Sequence, residues 1–137
     1  KTLIHYLVKA AGRNANLLMN IGPQPDGCLP EVAIERLKKV GEWMNIYGET
    51  IYGTRGGIIQ PHDWGVTTQK QNRLFVHILN LKDKALYLPT GNTRIKKAVD
   101  FVSRKQVRMQ KCDGGVVLYL DQVPTDVDKV VELEMAK

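Results

Sequence analysis

Carboxylates are the first residues in this chain whose spacing could support acid–base chemistry. Glu31, Glu35 and Glu42 fall within one stretch, and Asp26 lies just ahead of them. Cleavage of a glycosidic bond, for example, takes two carboxyl groups about 5–10 Å apart. These glutamates share their stretch with Lys38 and Lys39, and Glu35 to Lys39 is a favourable i,i+4 pair. They read as a solvated helix face. Asp26 precedes Gly27, as turn aspartates do, and is at most a rim residue of a binding site. His62-Asp63-Trp64 is a second compact group, read as a linker that docks its aromatic ring on a domain interface. Ser103 is the only serine, and no Ser/His/Asp or Cys/His pattern can be argued around it. Cys28 and Cys112 are far apart and read as two separate thiols. His5, His62 and His77 are scattered, with no CxxC or CxxH spacing, so neither a metal site nor a cofactor is expected. Gly53-Thr54-Arg55-Gly56-Gly57 lacks the Lys-Ser/Thr of a phosphate loop and reads as a loosened linker.

The net charge of +6 is uneven. Residues 1–69 carry 7 Lys/Arg against 6 Asp/Glu, residues 70–111 carry 11 against 2, and residues 112–137 carry 2 against 6. The middle segment could attract a polyanion. Its basic residues, among them Lys96, Lys97, Arg104, Lys105 and Arg108, are interleaved with apolar ones at strand period. They therefore read as a solvated strand face, and no nucleic-acid partner is expected. No apolar run approaches the roughly 20 residues of a membrane span.

The elements that would position these residues fall into two regions, 1–57 and 58–137. In the first, Leu3, Ile4, Leu7, Val8 and Ala11 make a helical face that stops near Gly12. The nearly continuous apolar run over Leu17–Ile21 suits a strand covered on both faces. After the turn Gln24-Pro25-Asp26-Gly27, a second helix opens at Pro30 with Glu31 in its first turn and ends near Gly48. Its apolar stripe is Ala33, Leu37, Val40, Met44 and Tyr47. In the second region the period becomes two: Leu74-Val76-Ile78, Val107-Met109, Val116-Leu118-Leu120 and Val131-Leu133-Met135. Asp113-Gly114 marks a hairpin and Pro89-Thr90-Gly91-Asn92 another turn. Short strands at this spacing predict an antiparallel β-sandwich of about seven or eight strands.

The stretch NLLMNIGP from Asn16 to Pro23, the turn QPDG, Pro30, Gly41-Glu42-Trp43 and then Gly48-Glu49-Thr50-Ile51-Tyr52-Gly53-Thr54 resembles the retaining α-L-fucosidases. The later stretch GVTTQKQNRLFVHIL with its DGGV hairpin resembles the sandwich that follows the barrel in that family. The resemblance covers essentially the whole chain, with Thr50 standing where alanine is common. It implies an α+β fragment: the last helix-strand-helix of a (β/α)8-like barrel, followed by an antiparallel β-sandwich. It implies a parent enzyme that removes terminal α-L-fucose from fucosylated glycans with retention, secreted, periplasmic or lysosomal. Its catalytic Asp and its acid/base lie upstream of the matched segment in that family, so no catalytic residue carries over. The chain alone is then expected to be inactive, its sandwich structural, and its barrel remnant prone to self-association. A glycan-binding role for the sandwich is the alternative, and it would need exposed aromatics among Trp64, Phe75, Tyr87, Phe101 and Tyr119.

Overall fold

The computed structural model describes residues 2–17 and 23–136. Helix α1 spans Thr2–Gly12 and buries Ile4 and Val8, the inner line of the predicted face. Its end is pinned by Asn14, whose positive φ of 57° closes the helix and whose Oδ1 accepts a 2.7 Å hydrogen bond from the Gly56 amide. The strand expected over Leu17–Ile21 lies, from residue 18 onward, outside the described residues. Helix α2 spans Glu31–Tyr47, with Pro30 as its N-cap and Gly48 as its C-cap. One 3-10 turn, Gly48–Thr50, follows it. The stripe Ala33, Leu37, Val40, Met44 and Tyr47 is only half-buried, and the fully buried residue is Trp43. The cause is aromatic. Trp43 stacks on Tyr47, one turn later, with ring centroids 5.0 Å apart.

Eight strands follow: β1 (Arg55–Gly56), β2 (Gly65–Lys70), β3 (Arg73–Ile78), β4 (Ala85–Leu88), β5 (Ile95–Asp100), β6 (Arg108–Cys112), β7 (Gly115–Tyr119) and β8 (Lys129–Met135). They form two antiparallel sheets, of order β1-β2-β3-β8-β5 and β4-β7-β6. Gly114, at φ 77°, supplies the left-handed residue of the β6–β7 hairpin announced by Asp113-Gly114. Between the sheets lies the main core, in which Leu74, Val76, Leu88, Leu118, Val131 and Leu133 are wholly or almost wholly buried. Each such side chain stabilises the fold by roughly 1.5–3 kcal/mol relative to exposure.

The five-stranded sheet is covered on both faces, which explains why β3 is buried along nearly its whole length. Its second face packs against the helices through Val66 and Leu79 with Ile4, Val8 and Trp43, and through Phe75 and Val130 with Phe101. An aromatic series runs across this seam: Trp43 on Tyr47, Tyr47 on Phe101 at 5.8 Å, and Phe101 edge-on to Phe75 at 5.9 Å. The molecule is thus layered as small sheet, large sheet, helices.

Two sequence expectations are corrected here. Gly53–Gly57 is not a loose linker. Arg55 and Gly56 pair with Gln69 and Thr68 of β2. A Cβ on Gly56 would sit 2.6 Å from the Gly12 carbonyl oxygen. Glycine is required there because two backbones meet. Trp64 docks on the core between the two sheets. It does not dock on a seam with the helices, because the chain reverses at the His62–Gly65 bridge and delivers the ring inward.

Candidate functional site

The residues singled out from the sequence for chemistry are dispersed. Asp26 is exposed in its turn, where its Oδ1 accepts a 3.0 Å hydrogen bond from the Cys28 amide. Glu31, Glu35 and Glu42 are exposed along α2. His62 is exposed and stacks on the half-buried Trp64 at 5.6 Å. Ser103 lies in an exposed turn. Cys28 and Cys112 are exposed free thiols. Among the described residues, no group of three or more His, Cys, Asp or Glu is placed to hold a metal ion, and no helix is long and apolar enough to cross a membrane.

The structure instead assembles a group that sequence reasoning missed. His77, on the helix-facing side of β3, sits between Thr68 of β2 and Asp128 in the loop just ahead of β8. His77 and Asp128 side chains have no exposed surface. The arrangement has the members of a hydroxyl–imidazole–carboxylate triad, but its polarity is reversed. A carbonyl oxygen only accepts, so the one hydroxyl proton of Thr68 goes to the Thr50 carbonyl at 2.6 Å. His77 Nε2–H must then donate to Thr68 Oγ1 at 3.0 Å. A second proton is shared across the 2.6 Å contact between Nδ1 and Asp128 Oδ2. A nucleophile needs the opposite arrangement, with Nε2 free to take the hydroxyl proton. Asp128 Oδ1 is buried without a partner among the described residues, so the ring alone balances that carboxyl. The group is therefore a buried tie between the 3-10 turn after α2, two strands and the β7–β8 connection.

Beside it runs an ionic chain. Arg73 bonds Glu49 in the 3-10 turn and, at 2.8 Å, Glu132 of β8, while Arg104 reaches the same carboxyl at 3.1 Å. Arg104 thus leaves the solvated strand face expected from the sequence. It sits in the turn after β5 at φ 61° and points back to Glu132. Burial pushes the Glu132 carboxyl up, but hydrogen bonds from Arg73 and Arg104 outweigh it and hold Glu132 below its ordinary value. The same bonds, Glu132 first and Glu49 second, raise Arg73. Asp100 behaves likewise. Burial raises it, but the Lys129 ammonium with the Ser103 and Val102 amides outweighs burial, so the net shift is downward. Tyr47 is raised, first by burial and then by the charges of Asp126, Asp128 and Asp100.

Where the β5–β6 and β7–β8 connections face each other, a cleft of about 370 Å³ opens. Its walls include Gln106, Arg108, Tyr119, Asp121, Gln122 and Asp126. The Arg108 guanidinium lies 5.0 Å over the Tyr119 ring, and the Tyr119 hydroxyl donates to Gln110 at 3.1 Å. The cleft is drawn from two distant loops, and neither carries a sequence motif that could have announced it.

Residues 1–49 match the family model described as Alpha-L-fucosidase. The tissue α-L-fucosidase of Rattus norvegicus is 33% identical over 137 residues, covering 89% of this chain and 28% of the relative. The plasma α-L-fucosidase of the same species is 36% identical over 85 residues, covering 58% of this chain and 18% of the relative. Among solved structures, α-L-fucosidase isoenzyme 1 from Paenibacillus thiaminolyticus superposes with a TM-score of 0.87 at 29% identity, over 99% of this chain and 34% of that one. The α-fucosidase of Thermotoga maritima, in complex with a mechanism-based inhibitor, gives a TM-score of 0.81 at 26% identity over 97% of this chain and 33% of that one. The chain thus spans about a third or less of the length of the proteins it matches. In sequence over its first 49 residues and in fold over nearly its whole length, the chain is similar to part of the α-L-fucosidases.

Proposed function

We propose that this chain is part of a fucosidase-like exo-glycosidase that hydrolyses terminal α-L-fucose of fucosylated glycans with retention, and that it supplies no catalytic group itself. The observation that carries the reading is the likeness to an α-L-fucosidase along 99% of the chain. The chemistry of the carboxyl groups supports the second part. A general acid for glycoside cleavage needs a raised carboxyl. Asp100 and Glu132 are instead both lowered and both held by cations. Asp26 is at most a rim residue.

In this reading residues 1–57 are the remnant of a catalytic barrel, its last helix-strand-helix, and residues 58–137 are a structural sandwich. A complete (β/α)8 barrel takes about 250 residues. The sandwich would back one barrel face through the aromatic seam of Trp43, Tyr47, Phe101 and Phe75. Val32 and Ile46 on α2 are 58% and 57% exposed. Such surface suits cover by the rest of a barrel, or by a second copy when the chain is alone. A secreted, periplasmic or lysosomal location accords with relatives named plasma and tissue α-L-fucosidase.

The test is an assay with 4-nitrophenyl α-L-fucoside. The purified 137-residue chain should give no turnover above a blank. Turnover that disappears in Asp26→Asn or Glu31→Gln would place catalysis in this chain and refute the reading. A protein of the relatives' length that carries this sequence should release fucose, with the α-anomer formed first in proton NMR. Release of the β-anomer first would refute retention.

A further inference from the structure

We infer that the cleft between the β5–β6 and β7–β8 connections binds a neutral saccharide. Its volume of about 370 Å³ lies at the lower end of the roughly 300–1,000 Å³ typical of small-ligand sites. Its charges identify the ligand class. Lys129 and Asp100 neutralise each other within the wall. Lys105 and Arg108 share the walls with Asp121 and Asp126, so the remaining formal charge is zero. An anion is drawn to the two basic groups and repelled by the two carboxylates, and a cation the reverse, so neither gains a net attraction. A neutral ligand rich in both donors and acceptors meets neither penalty.

The hydrogen-bonding groups have the same character. Gln106, Gln122, Asp121 and Asp126 are exposed, and their side chains bond no described residue. Two planar amides offer donors and acceptors together, and the carboxylates accept from hydroxyl groups. The walls are already set. Asp100 Oδ1 accepts from the Val102 and Ser103 amides, each at 3.0 Å, which fixes the turn on one side. Tyr119 is held by Arg108 over its ring and by Gln110 at its hydroxyl. A preformed site loses less freedom on binding. The inference stands on this cleft and does not need the fucosidase reading, which only suggests including a fucosylated probe.

The experiment titrates the 15N-labelled 137-residue chain with lactose, with 2′-fucosyllactose and with a heparin hexasaccharide. Saturable shifts at the Gln106, Arg108, Tyr119 and Asp121 amides with either neutral sugar are expected, with a dissociation constant on the order of 1 mM, about −4 kcal/mol. Gln106→Ala and Asp126→Ala, both exposed, should each weaken binding at least about fivefold (about 1 kcal/mol) while leaving distant resonances in place. Absence of saturable shifts with both neutral sugars overturns the inference. So do shifts confined to Tyr87 and Val117 on the outer face of the small sheet, or a response to heparin alone. The aryl fucoside assay reads the fucosidase proposal separately, so either can fail without the other.

Discussion

Replacing Asp128 with alanine tests the most consequential buried contact of the molecule. The substitution leaves His77 Nδ1 facing a cavity in a place with no exposed side-chain surface. Removing one partner of such a buried pair costs about 3–5 kcal/mol, because the remaining group stays buried without its partner. The size of the effect follows from what the site already lacks. No other described group contacts Nδ1, and Nε2 is committed to Thr68. At this length 1 kcal/mol corresponds to roughly 3–5 °C of melting temperature, so the expected loss is roughly 9–25 °C. Thr68→Val keeps the shape and strips one hydroxyl, leaving the Thr50 carbonyl and Nε2 unpaired. At about 1–3 kcal/mol for each stranded group, it should cost about 2–6 kcal/mol. Asp26→Ala, in an exposed turn, is the control and should fall within about 0.5 kcal/mol of the parent. Thermal and urea unfolding of the three variants decide the matter. An Asp128→Ala protein within about 1 kcal/mol of the parent would show that the contact is not a structural tie and would refute the proton accounting. So would an NMR spectrum in which the His77 ring shows no Nε2 proton.

Three further outcomes are expected. Gly56→Ala should destabilise the chain by about 2 kcal/mol or more, and proteolysis should release α1 first, because the new methyl meets the Gly12 carbonyl; an unchanged melting curve would show that the two backbones yield. Asp100 and Glu132 are held below the ordinary carboxylate range, so their stabilising contribution is complete above that range and is lost as pH falls through their folded values; the urea midpoint should hold from neutral to mildly acidic pH and then drop, with a shallower drop in Glu132→Gln, and parallel profiles for the two proteins would contradict this. Lys96, Lys97 and Lys105 are exposed while Arg104 is engaged by Glu132, so retention on heparin should vanish near physiological salt, and a micromolar complex surviving about 0.2 M salt would point to a polyanion site.

Much of the fold was legible because burial imposes a period on the sequence. The strands around Val76, Leu118 and Leu133 alternate because one set of side chains fills the space between two sheets, and Asp113-Gly114 names its own hairpin. What escaped depends on contacts between distant residues. Trp43 stands off the regular step of the α2 stripe, and its burial follows from its stack on Tyr47. The strand at Arg55–Gly56 is two residues long, too short to carry any period. His77 alternates with Val76 and Ile78, so the strand period puts it on the face of β3 away from the main core, but its partner lies 51 residues away in a loop, and no local pattern encodes that meeting. The cleft has the same origin, since Gln106 and Asp126 come from separate connections.

The order β1-β2-β3-β8-β5 places the segment Lys129–Met135 in the interior of the large sheet, between strands that precede it by dozens of residues. Until that segment is available, β3 and β5 have no common neighbour, and Leu74 and Ala98 have no Leu133 to pack around. On a ribosome the sheet therefore cannot close while its residues emerge in order; it must wait for one late strand to insert. Pairing over such separations is slow, in the range of milliseconds to seconds for β-rich domains. During that interval the facing edges of β3 and β5 are open to any other strand. A chaperone that shields those two edges would raise the yield of folded protein, and a peptide copying residues 129–135 would compete for the same slot.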